Sequence, residues 1–322
     1  MEMARALRIE YEDAVYHVLS RGNERRRIYF SKTDYQKFLG YVAEAKKKYG
    51  IEIHSYALMK NHYHLVIETP DANLSKAMHH INSSYTTYIN NRMKRNGHLF
   101  QGRYKAIVVS RDSYLAELSR YVHLNPVRAG MVKKPEEYPF SSYQTYVTDK
   151  NNELLTQDLI LGLISGNKAE AKRQYRRFTE SAIGEEEPDE ILKNVYGGII
   201  LGGTRFIKET LGRIKGEYLS KEGITQRRAL RTLHSGEEII EVIAKLYKVK
   251  AEEIRKNKYR EQRKIAIYLI KEKSGATNRQ ISELFDGMSC AAIAKTYERF
   301  KKEVKGSRKL YKEIAGIEKA IV

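Results

Sequence analysis

The chain has 322 residues, enough for two or three domains that each bury a core of their own. Lys and Arg number 59 against 40 Asp and Glu, and the resulting formal charge of +19 favours a polyanionic partner such as nucleic acid. A single cysteine, Cys290, excludes an intrachain disulfide and a Cys-based zinc site, and no apolar run is long enough to span a bilayer. The segment Met1–Arg8 lacks the apolar core of a signal peptide, so a cytoplasmic, nucleoid-associated protein with no membrane partner is expected.

In chain order, Ala14–Ser20 reads as a strand from its β-branched and aromatic content. It runs into Arg21-Gly-Asn-Glu-Arg-Arg-Arg27, a turn followed by a basic cluster. A helix opens near Asp34, capped by Ser31 or Thr33, with Phe38, Leu39, Val42 and Ala45 as its buried stripe and Gly50 as its stop. Ile51–Leu58 and His62–Glu68 read as two strands of a hairpin turning at Lys60-Asn61. Asn73–Arg95 reads as a long helix, Arg103–Ser110 as a fourth strand, and Arg111–Asn125 as a third helix ended by Pro126. This order is the split βαβ arrangement: a ferredoxin-like antiparallel sheet with the first and third strands innermost. Helices would cover one sheet face and leave the other free for a site. The fold class is therefore α+β, followed by an all-α region.

Within the hairpin, His62 and His64 are two residues apart on one strand and share a face. Two neutral imidazoles so placed make a half-site for a divalent metal, although ordinary half-exposed strand histidines have the same spacing. On the third helix, Tyr121 and Asn125 are four apart and share a face. An Asn oxygen is a hard neutral ligand suited to Mg²⁺ or Mn²⁺, and a Tyr one turn away could attack a phosphate held there. The same residues also fit a core aromatic and a helix C-terminal residue. His123 falls about 200° around the helix from Tyr121 and is not expected at the site.

Three segments carry a resemblance. Leu58-Met-Lys-Asn-His-Tyr-His-Leu-Val66, Gly97-His-Leu-Phe-Gln-Gly-Arg-Tyr-Lys105 and Arg120-Tyr-Val-His-Leu-Asn-Pro-Val-Arg-Ala-Gly-Met-Val132 resemble the single-tyrosine HUH transposases. The nearest branch is the REP-associated tyrosine transposases, relatives of the IS200/IS605 enzymes, and the likeness spans roughly residues 10–147. It implies His62, His64 and Asn125 as ligands of Mg²⁺ or Mn²⁺ and Tyr121 as the nucleophile. It further implies single-stranded DNA hairpins as substrate, nicked and joined through a 5′-phosphotyrosine, by a monomer or a homodimer. Ser20-Arg-Gly-Asn23 fits the same branch. Arg21, Asn23, Arg26, Arg103 and Lys105 are the residues of this half expected to track DNA, with tyrosines nearby to stack bases. A non-catalytic DNA-binding regulator derived from a transposase is the alternative.

Residues 148–234 read as a helical connector with no motif of defined chemistry: two helices at Asn151–Ile164 and Lys168–Ser181, an acidic linker at Gly184–Pro188, then Gly-rich turns. Residues 235–322 read as an all-α domain. Thr277–Phe285 and Ser289–Lys302, separated by Asp286-Gly287, form a candidate helix-turn-helix beside the basic loop Arg255–Arg260. Ile243-Ala-Lys-Leu-Tyr247, Arg263-Lys-Ile-Ala-Ile-Tyr-Leu269 and Ile281-Ser-Glu-Leu-Phe285 resemble the duplex-binding domain of the replication initiator DnaA. Ser289-Cys-Ala-Ala292 departs from that family's base-reading Asp-His-Ser/Thr run. The resemblance implies duplex DNA contacts from Arg255, Lys256, Lys258, Ser289 and Lys295.

Overall fold

The computed structural model describes residues 9–184, 190–193, 195–214, 235–274, 276, 278–286 and 288–321. The chain divides into two compact units, one formed by Arg8–Ile207 and the other containing Lys208–Val322. Most of the acidic stretch at 184–188 and all of 215–234 lie outside the described residues.

The first unit is built on a five-stranded sheet in the order β2-β3-β1-β4-β5. Its strands are β1 (Ala14–Arg21), β2 (Glu52–Met59), β3 (His62–Thr69), β4 (Lys105–Val109) and the two-residue β5 (Ile200–Leu201). β1 runs antiparallel to both β3 and β4, so the first and third strands are internal, as the sequence order requires. β5 joins the edge in parallel with β4 at Val108 and Val109.

One sheet face is covered by α1 (Lys32–Tyr49) and α2 (Leu74–Arg92). Phe38 of α1 meets the ring of Tyr63 at 4.8 Å, and the Tyr63 hydroxyl donates to Asn82 of α2. α1 starts where Asp34 folds back: its buried carboxylate accepts the backbone N–H groups of Phe30 and Ser31, the Tyr88 hydroxyl and the Arg92 guanidinium. The helix stops at Gly50, whose φ of 64° is the left-handed cap that glycine adopts without a Cβ penalty.

The opposite face is not free, contrary to the sequence-based expectation. Helix α3 (Ser113–Arg128) lies on it, and Leu115, Leu118, Tyr121 and Val122 pack with Val15, Ala57, Val66 and Ile107 of the strands. The expected stop at Pro126 also fails. A proline late in a helix forfeits only its own N–H bond, here to the Val122 carbonyl, and α3 continues to Arg128. Behind α3 lie α4 (Tyr143–Val147), α5 (Asp158–Gly162) and α6 (Lys168–Glu180). Ile160, Leu161, Ala171, Tyr175, Val195 and Leu201 share one apolar cluster with the α3–sheet interface. The stretch read from sequence as a connector thus supplies six residues, from Ile160 to Leu201, to the first unit's core.

The described part of the second unit is helical: α9 (Gly236–Tyr247), α10 (Ala251–Arg255), α11 (Arg260–Lys273), α12 (Asn278–Leu284), α13 (Cys290–Gly306) and α14 (Arg308–Ala320). Two short helices, α7 (Glu190–Lys193) and α8 (Thr204–Ile214), precede them in the chain. Ile239, Ile243, Ile267, Ile270, Phe285 and Phe300 form the heart of a separate core. α12 and α13 fall where the sequence places the helix pair, α13 running four residues beyond the expected end at Lys302, and α14 is a further helix that the sequence pattern does not mark. Among the described residues, no helix is long and apolar enough to cross a membrane.

Candidate active site

Strand register assembles the site. Residues paired across antiparallel strands project to the same side. Arg21 pairs with His62, Leu19 with His64, and His17 with Val66. On the other edge of β1, Leu19 pairs with Lys105 and His17 with Ile107. Arg21, His62, His64, His17 and Lys105 therefore belong to adjacent rows of one face, the face that carries α3.

Tyr121 meets this face from above. Its ring stands edge-on to His64 at 5.7 Å between centroids and to His17 at 6.1 Å. The contact is within one chain. Tyr121 is 8% exposed, and the Arg128 guanidinium lies 5.2 Å from its ring centroid. Asn125 directs its carboxamide nitrogen at the Tyr121 carbonyl, 2.9 Å away, so its oxygen is the atom left to act as a ligand. His123 turns the other way, as expected: its two ring nitrogens bond the Tyr175 hydroxyl and Ser142 Oγ, each at 2.7 Å.

The two histidines of the pair have centroids 5.1 Å apart and planes at 79°. Burial, with the Arg21 charge adding to it, lowers the His62 pKa to about 4. His64 is held well below its ordinary value by burial first and then by His17, His62 and Arg21. Both rings are neutral at pH 7, the state in which imidazole binds metal. His62 Nδ1 bonds Asn61 Oδ1 at 2.7 Å, and His64 Nδ1 bonds His17 Nε2 at 2.8 Å. In each ring the nitrogen remaining for a ligand bond is Nε2. No group of three or more His, Cys, Asp or Glu with metal-binding geometry occurs among the described residues. Two neutral imidazoles offer two nitrogen ligands to a divalent cation, which would take its other ligands from an amide oxygen, water and substrate phosphate.

The loop Ser20–Asn23 braces the start of β3. Gly22 N–H donates to the Asn61 carbonyl at 2.8 Å, and Asn61 Nδ2 donates to the Arg25 carbonyl at 3.0 Å. A Cβ on Gly22 would lie 2.1 Å from the Arg26 carbonyl oxygen, so close approach, rather than unusual φ, demands glycine there. The 98–102 segment closes on the same loop, Gln101 N–H donating to the Arg21 carbonyl and Asn23 N–H to the Leu99 carbonyl. Arg21, Asn23, Arg26, Arg103 and Lys105 are all exposed, and Arg26 pairs with Glu24 at 2.5 Å. His17 was not singled out by its sequence. It lies 47 residues from His64, and only the β1–β3 register brings the two together.

In the second unit, Lys256 and Lys258 are exposed around Asn257, whose φ is 65°, and Lys258 pairs with Glu253 at 2.6 Å. Arg255 is half-buried at the end of α10. Ser289 caps α13, its hydroxyl oxygen accepting the Ala292 N–H, which leaves the hydroxyl hydrogen for another partner. Lys295 is exposed one turn further along.

Residues 10–125 match the family model described as "Transposase IS200 like", a stretch that runs from the approach to β1 through Asn125 of α3. This match supports a transposase role, that of a DNA-processing enzyme, for the first unit. Among solved structures, the chain is similar to a REP-associated tyrosine transposase determined bound to a REP hairpin. The TM-score is 0.41 and the identity 17%, over 48% of this chain and 98% of that one. No curated protein matches the sequence at a significant level.

Proposed function

We propose that the protein is a metal-dependent endonuclease and strand transferase for single-stranded DNA, acting at hairpin-flanked sites, with Tyr121 as nucleophile and His62, His64 and Asn125 as ligands of Mg²⁺ or Mn²⁺. The observation that carries this reading is the edge of the Tyr121 ring against His64, in the same chain, within a segment matching the IS200-like family. Tyr121 Oη attacks the phosphorus, the P–O3′ bond breaks, and the chain holds a 5′-phosphotyrosine while a 3′-hydroxyl departs. A cation on the histidine pair would neutralise charge developing on the phosphate and favour ionisation of a phenol whose ordinary pKa is near 10. His62 and His64 orient that centre, and Arg21 and Lys105, on the same sheet face, offer charge to flanking phosphates. Since the phosphotyrosine keeps the energy of the phosphodiester, rejoining needs no nucleotide cofactor. A tyrosine and histidines from one chain fit a site complete in a monomer. In the second unit, α12 and α13 serve as a helix-turn-helix for duplex DNA, with Lys295 on the second helix and Lys256 and Lys258 on the basic turn between α10 and α11.

A non-catalytic DNA-binding regulator is the second reading, favoured by the 8% exposure of Tyr121, which leaves little of the residue open to a substrate. Incubation with a labelled single-stranded hairpin and Mn²⁺ separates the two. The transferase gives a covalent protein–DNA adduct that Tyr121→Phe abolishes. Binding without an adduct in the wild-type protein supports the regulator, and cleavage that survives Tyr121→Phe points instead to attack by water.

A further inference from the structure

The His64–His17 contact demands a choice of proton. At 2.8 Å, one of the two facing nitrogens carries N–H and the other a lone pair. The ring planes are 14° apart with centroids at 5.1 Å, so the rings lie nearly edge to edge in one plane, which aligns donor and acceptor. The neighbouring ligand shows how such a choice is made. Asn61 Oδ1 can only accept, and the Asn61 amide is oriented by donating Nδ2 to the Arg25 carbonyl. His62 must therefore carry its proton on Nδ1 and its lone pair on Nε2.

We infer that His17 is the matching device for His64, a reading that rests on His62 and His64 being the metal ligands. His17 Nε2 accepts the Nδ1–H of His64 and holds it in the tautomer whose Nε2 lone pair is available to a divalent cation. Metal-bound histidines characteristically donate their second N–H in this way, and loss of the acceptor weakens metal binding 10–100-fold. His17 has no evident packing reason to be histidine. It is wholly buried between Val66 and Ile107, and its Nδ1 has no hydrogen-bond partner. An apolar side chain would fill that space without orphaning a ring nitrogen. A neutral acceptor also differs from a carboxylate in adding no negative charge beneath a site meant to receive phosphate.

The experiment is a Mn²⁺ titration of the full chain, read by the EPR signal of free Mn²⁺, for wild type, His17→Leu, His17→Gln and His64→Ala. Circular dichroism of each variant checks the fold. His17→Leu is expected to raise the Kd 10–100-fold. His17→Gln, which restores a neutral acceptor near the Nε2 position, should stay within about threefold of wild type. Adduct formation by His17→Leu on a labelled hairpin should recover at saturating Mn²⁺, since the defect is in metal affinity and not in turnover. In ¹⁵N-histidine-labelled protein with Mg²⁺, His64 should be protonated at Nδ1 and not at Nε2. The assignment is overturned if His17→Leu binds Mn²⁺ as tightly as wild type, if His17→Gln falls as far as His17→Leu, or if saturating metal fails to restore the rate. Should wild type bind Mn²⁺ no better than His64→Ala, the metal-ligand reading itself fails, and the role of His17 falls with it.

Discussion

Tyr121 and His123 sit two residues apart on α3 and have opposite surroundings, because a helix rotates each residue by about 100°. Tyr121 faces His64 and His17. His123 is wholly buried between Tyr175 and Ser142, and burial pulls its pKa down to about 3. The sign of the resulting pH dependence follows. The unfolded chain takes up a proton near pH 6.5, whereas the folded chain refuses it until about pH 3. Stability from this group is complete above pH 6.5 and falls as pH drops below it, by up to about 1.4 kcal/mol for each pH unit. His17, lowered to about 4 by burial, acts in the same direction. Urea midpoints measured between pH 7 and pH 5, above the range where carboxylates titrate, should decline with acidification. His123→Leu should show a shallower decline, whatever its absolute stability. At this scale the sequence was legible where geometry depends on near neighbours, as in the shared strand face of His62 and His64 or the single turn from Tyr121 to Asn125. It was opaque for His17, whose partner is fixed by strand register, and for Ser289, whose hydroxyl serves first as a helix cap.

The same helix shows how an element is held for its task. One side of α3 supplies Leu115, Leu118, Tyr121 and Val122 to the sheet. The other side is tied to α6 through the Tyr175 hydroxyl, which bonds Ser119 Oγ at 2.6 Å and His123 Nδ1 at 2.7 Å. Arg120 adds a cation–π contact, 4.3 Å from the Phe178 ring centroid. These bonds set the rotation of α3 about its axis, and so the direction in which Tyr121 points. Tyr175→Phe keeps the ring but strips two buried polar groups of a partner, at a cost of about 1–3 kcal/mol each. Urea denaturation should show that loss. If Tyr121 is the nucleophile, adduct formation should fall more steeply than DNA binding, because the residues proposed to bind DNA at the end of β1 and around residues 103–105 are untouched. The strand and helix order was readable from periodicity and capping residues: Ser31 with Asp34, Gly50, and the Lys60-Asn61 turn all stand where expected. The second layer was not. Nothing local in α3 says that it lies across the sheet, and a proline that removes a single terminal bond looked like a stop. The covering of the second face depends on tyrosines near residues 143–175, far along the chain.

For the whole molecule, those distant tyrosines decide where the first unit ends. A resemblance that fades near residue 147 invites a boundary there, and the family match itself closes at residue 125. The core disagrees. Tyr175, Ile160 and Leu201 belong to the cluster that contains Tyr121 and Val66, and β5 completes the sheet edge on β4. His54 Nδ1 bonds the Thr156 carbonyl at 2.8 Å, and the Lys46 ammonium reaches Glu52, Thr156 and the Leu154 carbonyl, so polar contacts cross the same boundary. Ending the chain at residue 147 would uncover the apolar back of α3 and strip His54 Nδ1 and His123 Nδ1 of their partners, the Thr156 carbonyl and the Tyr175 hydroxyl. Such uncovered apolar surface promotes aggregation, and each orphaned polar group costs about 1–3 kcal/mol. Ending it at residue 207 keeps every one of these contacts; it cuts α8 after its first turn and removes the helical unit, whose core shares no member with this cluster. The shorter chain should therefore be aggregated or molten, with exposed apolar surface that binds a reporter dye. The longer one should unfold cooperatively in urea. If the first unit carries the nucleophile and the ligands, the chain ending at 207 should also form the hairpin adduct while losing duplex affinity. A well-folded, active chain ending at 147 would show that α6 and β5 are ornaments on a smaller self-sufficient domain, and that the orientation of Tyr121 is set by the sheet alone.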